Sequence, residues 1–284
     1  MIIMDELLGI SSSSVPNDIA QIGITMKYTF LDYFRSRRFI ILLTITLLIS
    51  ILLTAVVGYY RPQSFLATDL TFYSNWWGNS VTFVIVLSGI FFGGDAISGE
   101  FQNKTGYFGI PNPIRRSSIY IGKWLSAFIA SSVILAVFAG ISIGNGLYYF
   151  GLNVPFQFGE SLLFAWVYLA AVLGFTFFFS SIFKSSSISI LVTVILFLFG
   201  FTLIQTLVSA LAQVEPWFIL TYGAQIIGNV LNVPYPQHIT TIGAGPVSFT
   251  TFNAPIPEGL VIIAVYFVVT TILGLLFFER KEFT

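Results

Sequence analysis

Charged side chains are so sparse in this chain that the gaps between them decide the fold class. Uncharged stretches run over residues 39–60, 70–94, 124–159, 161–183, 185–214 and 259–278. A helix rises 1.5 Å per residue, so about 20 residues cross the roughly 30 Å hydrocarbon core of a bilayer. All six stretches are long enough. Only 8% of the 284 residues are charged and 56% are hydrophobic, against about a quarter charged in a soluble domain, and this excludes an ordinary soluble protein. Apolar runs such as 40–45 are continuous and lack a period of two, which favours helices over a barrel. The expected fold is an all-α membrane protein with six transmembrane helices near 39–60, 77–94, 124–147, 161–183, 188–212 and 259–278. Gly151, Asn153 and Pro155 mark the turn after the third.

Residues 1–21 read as a mobile tail ahead of one six-span domain, 22–284. Asp5, Glu6 and Asp18 interrupt residues 1–18, which also lack a basic start and a long apolar core, so no secretory leader is expected there. From Ile22, the apolar residues Ile22, Met26, Phe30, Tyr33 and Phe34 recur at spacings of three and four, while Lys27, Asp32, Arg35 and Arg38 fill the remaining arc. This pattern fits a helix lying in the membrane interface or an amphipathic extension of the first span. Either is an anchor.

Orientation follows from the basic residues. With an even number of spans both termini share a side, and that side holds 11 of the 12 Lys and Arg, leaving only Arg61 opposite. The positive-inside rule then places both termini in the cytosol, in a multi-pass protein of the cell membrane. Tyr59–Tyr60, Trp76–Trp77 and Tyr148–Tyr149 are expected at the outer interface, with Phe34 and Trp124 near the inner one. The sequon at Asn103 falls on the cytosolic side and is a chance match.

Several chemistries are excluded. A formal net charge of zero offers no attraction to nucleic acid. There is no cysteine and one histidine, His238, so a thiol nucleophile, a disulfide framework and a Cys/His metal cluster are ruled out. Lacking a neighbouring carboxylate or thiol in sequence, His238 reads as a loop residue and not a ligand. Gly122–Lys123 lacks the upstream glycine of a phosphate-binding loop, and no Gly-x-Ser-x-Gly or metal-binding helix motif is present. The chain is not expected to be an enzyme or to hold a cofactor or metal.

Residues 95–123 form the largest cytosolic connection. Glu100 and Lys104 stand four apart in the order that favours a helical ion pair, and Pro111 and Pro113 end any helix there. On composition alone this is a protruding short helix or a solvated loop. Asp95, Glu100, Thr105–Gly106, Pro113–Ile114, Arg115 and Gly122–Lys123, in this order after the second span, resemble the corresponding loop of permeases in the type-2 ABC exporter class. The resemblance extends over nearly the whole chain, although the family's usual Gly-Thr stands here as Thr105–Gly106. It implies the membrane subunit of an exporter, working with a second permease copy or a related permease. ATP and magnesium would sit on a separate ATPase subunit. In similar proteins the loop is a coupling helix resting on that subunit, which here involves Asp95, Glu100, Phe101, Asn103, Lys104, Thr105, Tyr107, Phe108 and Arg115. An ion-coupled carrier or a channel subunit is the alternative. A coupled carrier ordinarily keeps an ionisable residue inside a span, whereas every acid and base here falls at or beyond a span end.

Residues 216–257 carry no charge and six of the eleven prolines. The apolar part, 217–231, is too short to span and is expected to dip into the outer leaflet as a re-entrant-like segment or to cap the assembly. On the fifth span Thr202, Gln205, Thr206 and Ser209 share a helix face. That face either glues helices together or lines a translocation path. The family resemblance favours the path, because spans two and five of similar exporters face the dimer axis.

Overall fold

The computed structural model describes residues 17–103, 115–242 and 249–281. Among the described residues, six helices are long and apolar enough to cross a membrane: span one Arg37–Tyr60, span two Asp69–Gln102, span three Arg116–Phe150, span four Phe156–Ile182, span five Ser186–Ala212 and span six Ile256–Arg280. Local chemistry sets their ends. Ser36 is extended, and its hydroxyl accepts from the Phe39 amide at 3.3 Å and donates to the Tyr33 carbonyl at 2.6 Å. The N-terminal helix Asp18–Arg35 and span one are therefore separate elements. Gly151, at φ 81°, closes span three in a conformation that only glycine adopts without strain. Pro155 then caps span four, and Pro255 caps span six.

Burial separates an inner pair of spans from an outer set. In the most apolar window of each helix, 72% of span two and 56% of span four are buried, against 17% of span five and 22% of spans one and six. Apolar contact gains little over lipid, so helices in a bilayer associate through close packing. Gly89 and Gly93 stand one turn apart on span two, where a Cβ on either would run into Val172 or Thr176 of span four. This close approach holds the two central helices together.

Span two begins earlier than its apolar sequence does. Thr68 and Thr71 form a reciprocal cap ahead of Asp69–Tyr73, and a π-helical turn, Ser74–Gly78, follows. That turn points Trp76 and Trp77 inward. Both are fully buried, stacked on Phe138 with ring centroids 5.0 and 5.6 Å away. The expected interfacial belt thus loses these two tryptophans, because the indole of Trp77 has a protein partner instead, Ser161 Oγ at 2.9 Å. Tyr59, Tyr60 and Tyr148 are exposed, as a belt would be.

The N-terminal helix starts at Asp18, four residues ahead of the position expected from periodicity. Its Ile22, Thr25 and Met26 lie against span three, where Ser126 Oγ donates to the Met26 carbonyl at 2.8 Å. A Cβ on Gly122 would come within 2.8 Å of Thr25 Cβ. Tyr33 is buried and donates to the Phe92 carbonyl at 2.9 Å, whereas Phe34, placed on the same arc by periodicity, is exposed.

The connection between spans five and six folds back onto the bundle. It comprises two short helical turns, Leu220–Gly223 and Ile226–Asn229, and a hairpin of β1 (Ile239–Ile242) and β2 (Phe249–Phe252), antiparallel with Thr240 opposite Thr251. Leu220, Tyr222, Ile226 and Ile227 are completely buried. Ser161 Oγ on span four donates to the Ile227 carbonyl at 2.5 Å, which extends the Trp77–Ser161 link into this segment.

Candidate functional site

Span two loses regular helical form at Gly94, and the next three residues continue the turn before a last helical piece, Ser98–Gln102. A turn at this depth must satisfy its backbone groups within the protein. Other spans supply the partners. Ser180 Oγ on span four accepts from the amides of Ile97 and Ser98 at 2.9 and 3.0 Å. Lys123 Nζ on span three donates to the Ala96 carbonyl at 2.9 Å. Ser189 Oγ on span five donates to the Gly94 carbonyl at 2.5 Å, and the amide of Ser186 donates to Gln102 Oε1 at 2.7 Å.

Ion pairs then fix the acidic residues of this turn. Asp95, with its side chain only 10% exposed, accepts from Arg38 at 2.5 Å. Glu100 lies 2.5 Å from Lys123 Nζ. This base stands on span three, across the fold; Lys104, the partner expected from helical spacing, lies outside the described residues. Arg115 meets Asp18 at 2.7 Å, and its amide donates to Gln21 Oε1 at 3.1 Å, so the far end of the loop is tied to the N-terminal helix. Phe101 packs edge-on against Phe278 of span six and lies under Lys281, whose Nζ is 4.2 Å from the ring centre.

Lys281 also donates to the carbonyls of Ser181, Ile182 and Phe183 at 2.9, 3.3 and 2.8 Å, which caps the open end of span four. Burial, with Lys184 nearby, pushes its ammonium down to about 8. Burial also raises the Tyr33 hydroxyl above the ordinary tyrosine range, helped by the neighbouring Asp95, so Tyr33 remains a donor. Between the N-terminal helix and the turn lies a cleft of about 520 Å³, lined by Asp32, Tyr33, Arg38, Asp95, Glu100 and Lys123, among others. Asn103 stands on its rim. Lys104, Thr105, Tyr107 and Phe108 lie outside the described residues, as do Pro111 and Pro113. Among the described residues, the charged groups of the cleft brace one another in the Arg38–Asp95 and Lys123–Glu100 pairs.

The polar stripe of span five is partly assembled. Gln205 Oε1 accepts from Thr221 Oγ1 at 3.0 Å, and Thr206 Oγ1 donates to the Thr202 carbonyl at 2.8 Å within its own helix. Gln205, Thr206 and Ser209 line a 160 Å³ cavity with Gln225, Thr250 and Thr251, whereas Thr202 lies outside it. A π-helical turn at Val208–Ala212 widens the helix just where Ser209 faces this space.

His238 is a loop residue, as expected, but one premise of the sequence reading is corrected. His238 has carboxylate neighbours: its Nε2 lies 3.4 Å from Glu215 Oε2, and Glu258 completes a group whose ligand atoms are all within 4.8 Å of one another. Glu215 and His238 are separated by 23 residues in sequence, and no local spacing announces the contact.

The family described as ABC-2 family transporter protein matches residues 25–283, almost the entire chain. The chain belongs to this family. No curated protein matches it. The permease is thus a multi-pass membrane subunit of an ABC transporter, and the carrier and channel alternatives give way to that assignment. In the permease, the turn within span two is bonded to the helix that carries Gln205: the Gly94 carbonyl and Gln102 Oε1 accept from Ser189 and Ser186 at its beginning.

Proposed function

We propose that the permease is the membrane half of an exporter. Two copies, or one copy and a related permease, enclose the path; ATP and magnesium bind a separate ATPase subunit that docks on the cytosolic loop of residues 101–108. The bonding of the Gly94–Gln102 turn to the first turn of span five carries this reading. Docking force applied next to Asn103 reaches Ser186 and Ser189 through two hydrogen bonds, at 2.7 and 2.5 Å. Span five is the least buried helix, so little packing resists its displacement. The stripe Thr202, Gln205, Thr206 and Ser209 would then move with it and line the path. Exposed apolar residues of span five, including Leu203, Leu207 and Leu211, supply a surface for the second permease.

The 11-to-1 distribution of bases supports a cytosolic position for the loop. Cross-linking tests the coupling, because the native chain contains no cysteine. An Asn103→Cys permease, purified with its ATPase, is expected to give a permease–ATPase product whose yield depends on nucleotide. The purified permease alone is expected to hydrolyse no ATP. Hydrolysis by the isolated chain, or full coupled hydrolysis after deletion of residues 101–108, would refute the reading.

A further inference from the structure

At the end of the bundle remote from the Arg38–Asp95 pair, three parts of the chain converge on one point. Glu215 follows span five, His238 precedes β1, and Glu258 is in the first turn of span six. Their ligand atoms all lie within 4.8 Å of one another.

The hydrogen bonds around the group determine what its centre can accept. His238 Nδ1 is 3.0 Å from the carbonyl oxygen of Asn253. A carbonyl can only accept, so Nδ1 carries the proton, and in the neutral ring Nε2 presents a lone pair. This lone pair faces Glu215 Oε2 at 3.4 Å. That separation exceeds the 2.7–3.2 Å of a typical N–H···O bond, and the second carboxylate adds further acceptors. Acceptors turned toward one point need a proton or a metal cation between them. Three ligands placed about 2.0–2.1 Å from a tetrahedral zinc ion would stand roughly 3.4 Å apart, which matches the His238–Glu215 separation.

The surrounding groups orient these ligands. Tyr222 donates to Glu215 Oε1 at 2.5 Å, which leaves Oε2 for the centre. Asn253 is itself fixed: its amide donates to the His238 carbonyl at 2.8 Å and its Nδ2 to the Gln237 carbonyl at 2.8 Å. A carbonyl that fixes the imidazole tautomer and a hydroxyl that holds the carboxylate are the outer partners a metal site needs. The His238 side chain is 40% exposed and that of Glu215 is 25%, which gives an ion a way in and leaves space for water as a fourth ligand.

We propose that Glu215, His238 and Glu258 form a binding site for one divalent cation of the zinc class. One imidazole and two carboxylates favour zinc over magnesium or calcium, which prefer all-oxygen shells. The ion would pin the lower-packed span five to span six at the end opposite the docking turn. This assignment is independent of which side of the membrane the site faces and of the proposed ATPase contact.

The test uses the full permease in detergent, freed of any affinity tag and stripped with a chelator. Zinc titrated against a competing fluorescent chelator is expected to show one equivalent per chain, and zinc X-ray absorption of that sample to show one imidazole nitrogen in a shell of light atoms. His238→Ala and Glu258→Gln are expected to weaken binding at least ten-fold. Cobalt substitution is expected to give the intense visible bands of a tetrahedral site in the native protein only. A native sample that retains no zinc above the His238→Ala level, or whose zinc shell lacks an imidazole, overturns the assignment. Because the native absorption spectrum decides by itself, misfolding of a variant cannot rescue the idea.

Discussion

Ser189 of span five donates its hydroxyl to the carbonyl of Gly94, the residue at which span two stops being regular helix, at 2.5 Å. Both residues are buried, so no water replaces that bond. Ser189→Ala would leave the Gly94 carbonyl without this donor, at a cost of about 1–3 kcal/mol. The expected result is a permease that inserts normally, melts at a lower temperature, and loses several-fold of its transport-coupled ATP hydrolysis in the assembled complex. Unchanged coupling alongside the lowered melting temperature would show that the bond only holds the fold.

The Glu100–Lys123 pair gives a second measurable prediction. Its side chains are 25% and 14% exposed, and removing one partner leaves the other charge poorly solvated. Lys123→Met should destabilise the permease by roughly 2 kcal/mol, a figure reduced from that of a fully buried pair to allow for partial exposure. Lys123 also serves the Ala96 carbonyl, so the exchange Glu100→Lys with Lys123→Glu should recover only part of the loss. Thermal unfolding of the two variants and the native permease in one detergent decides this. Lys104→Glu and Arg115→Glu, in contrast, are expected to weaken coupled hydrolysis while the permease remains inserted and monodisperse.

The spans were legible in the sequence because hydrocarbon tolerates few charges, so each gap between charges outlined a helix. Polar residues displaced the ends. Thr68 and Asp69 look like loop in a hydropathy reading, yet the Thr68–Thr71 cap starts span two there. Trp76 and Trp77 were misplaced for a related reason: interfacial preference is a property of tryptophan in general, whereas a π-helical turn and Phe138 decide where these two point. The polar stripe was legible as a helix periodicity, but Thr221, the partner of Gln205, comes from outside that helix. The partner of Glu100 and the neighbours of His238 were illegible because both contacts are tertiary. Helical spacing reports four residues along one helix and nothing across to another.

Topology can be tested with single cysteines. Ser12→Cys and Asn103→Cys are expected to react with a membrane-impermeant maleimide only after the cells are opened, and Gln237→Cys in intact cells. Labelling of Asn103→Cys from outside would invert the orientation read from the bases, and the proposed cytosolic docking of an ATPase would fail with it.

The last prediction separates packing from path lining on span five. Gln205, Thr206 and Ser209 border the 160 Å³ cavity, while Thr202 is exposed one turn away and does not. If the stripe only glues helices, Gln205 is satisfied by Thr221 and its cysteine replacement should be sheltered in every state. If the stripe lines the path, the cavity must open to water when the ATPase closes or releases. Gln205→Cys and Ser209→Cys should then react with a small charged thiol reagent at rates that change at least several-fold between the nucleotide-free complex and one trapped with a non-hydrolysable nucleotide. Thr202→Cys, on the same stripe, should follow them, and Leu203→Cys, on the apolar face assigned to the second permease, should stay inert because neither that contact nor hydrocarbon admits a charged reagent. Equal, nucleotide-independent rates at positions 203, 205 and 209 would remove the stripe from the path and leave it a packing element.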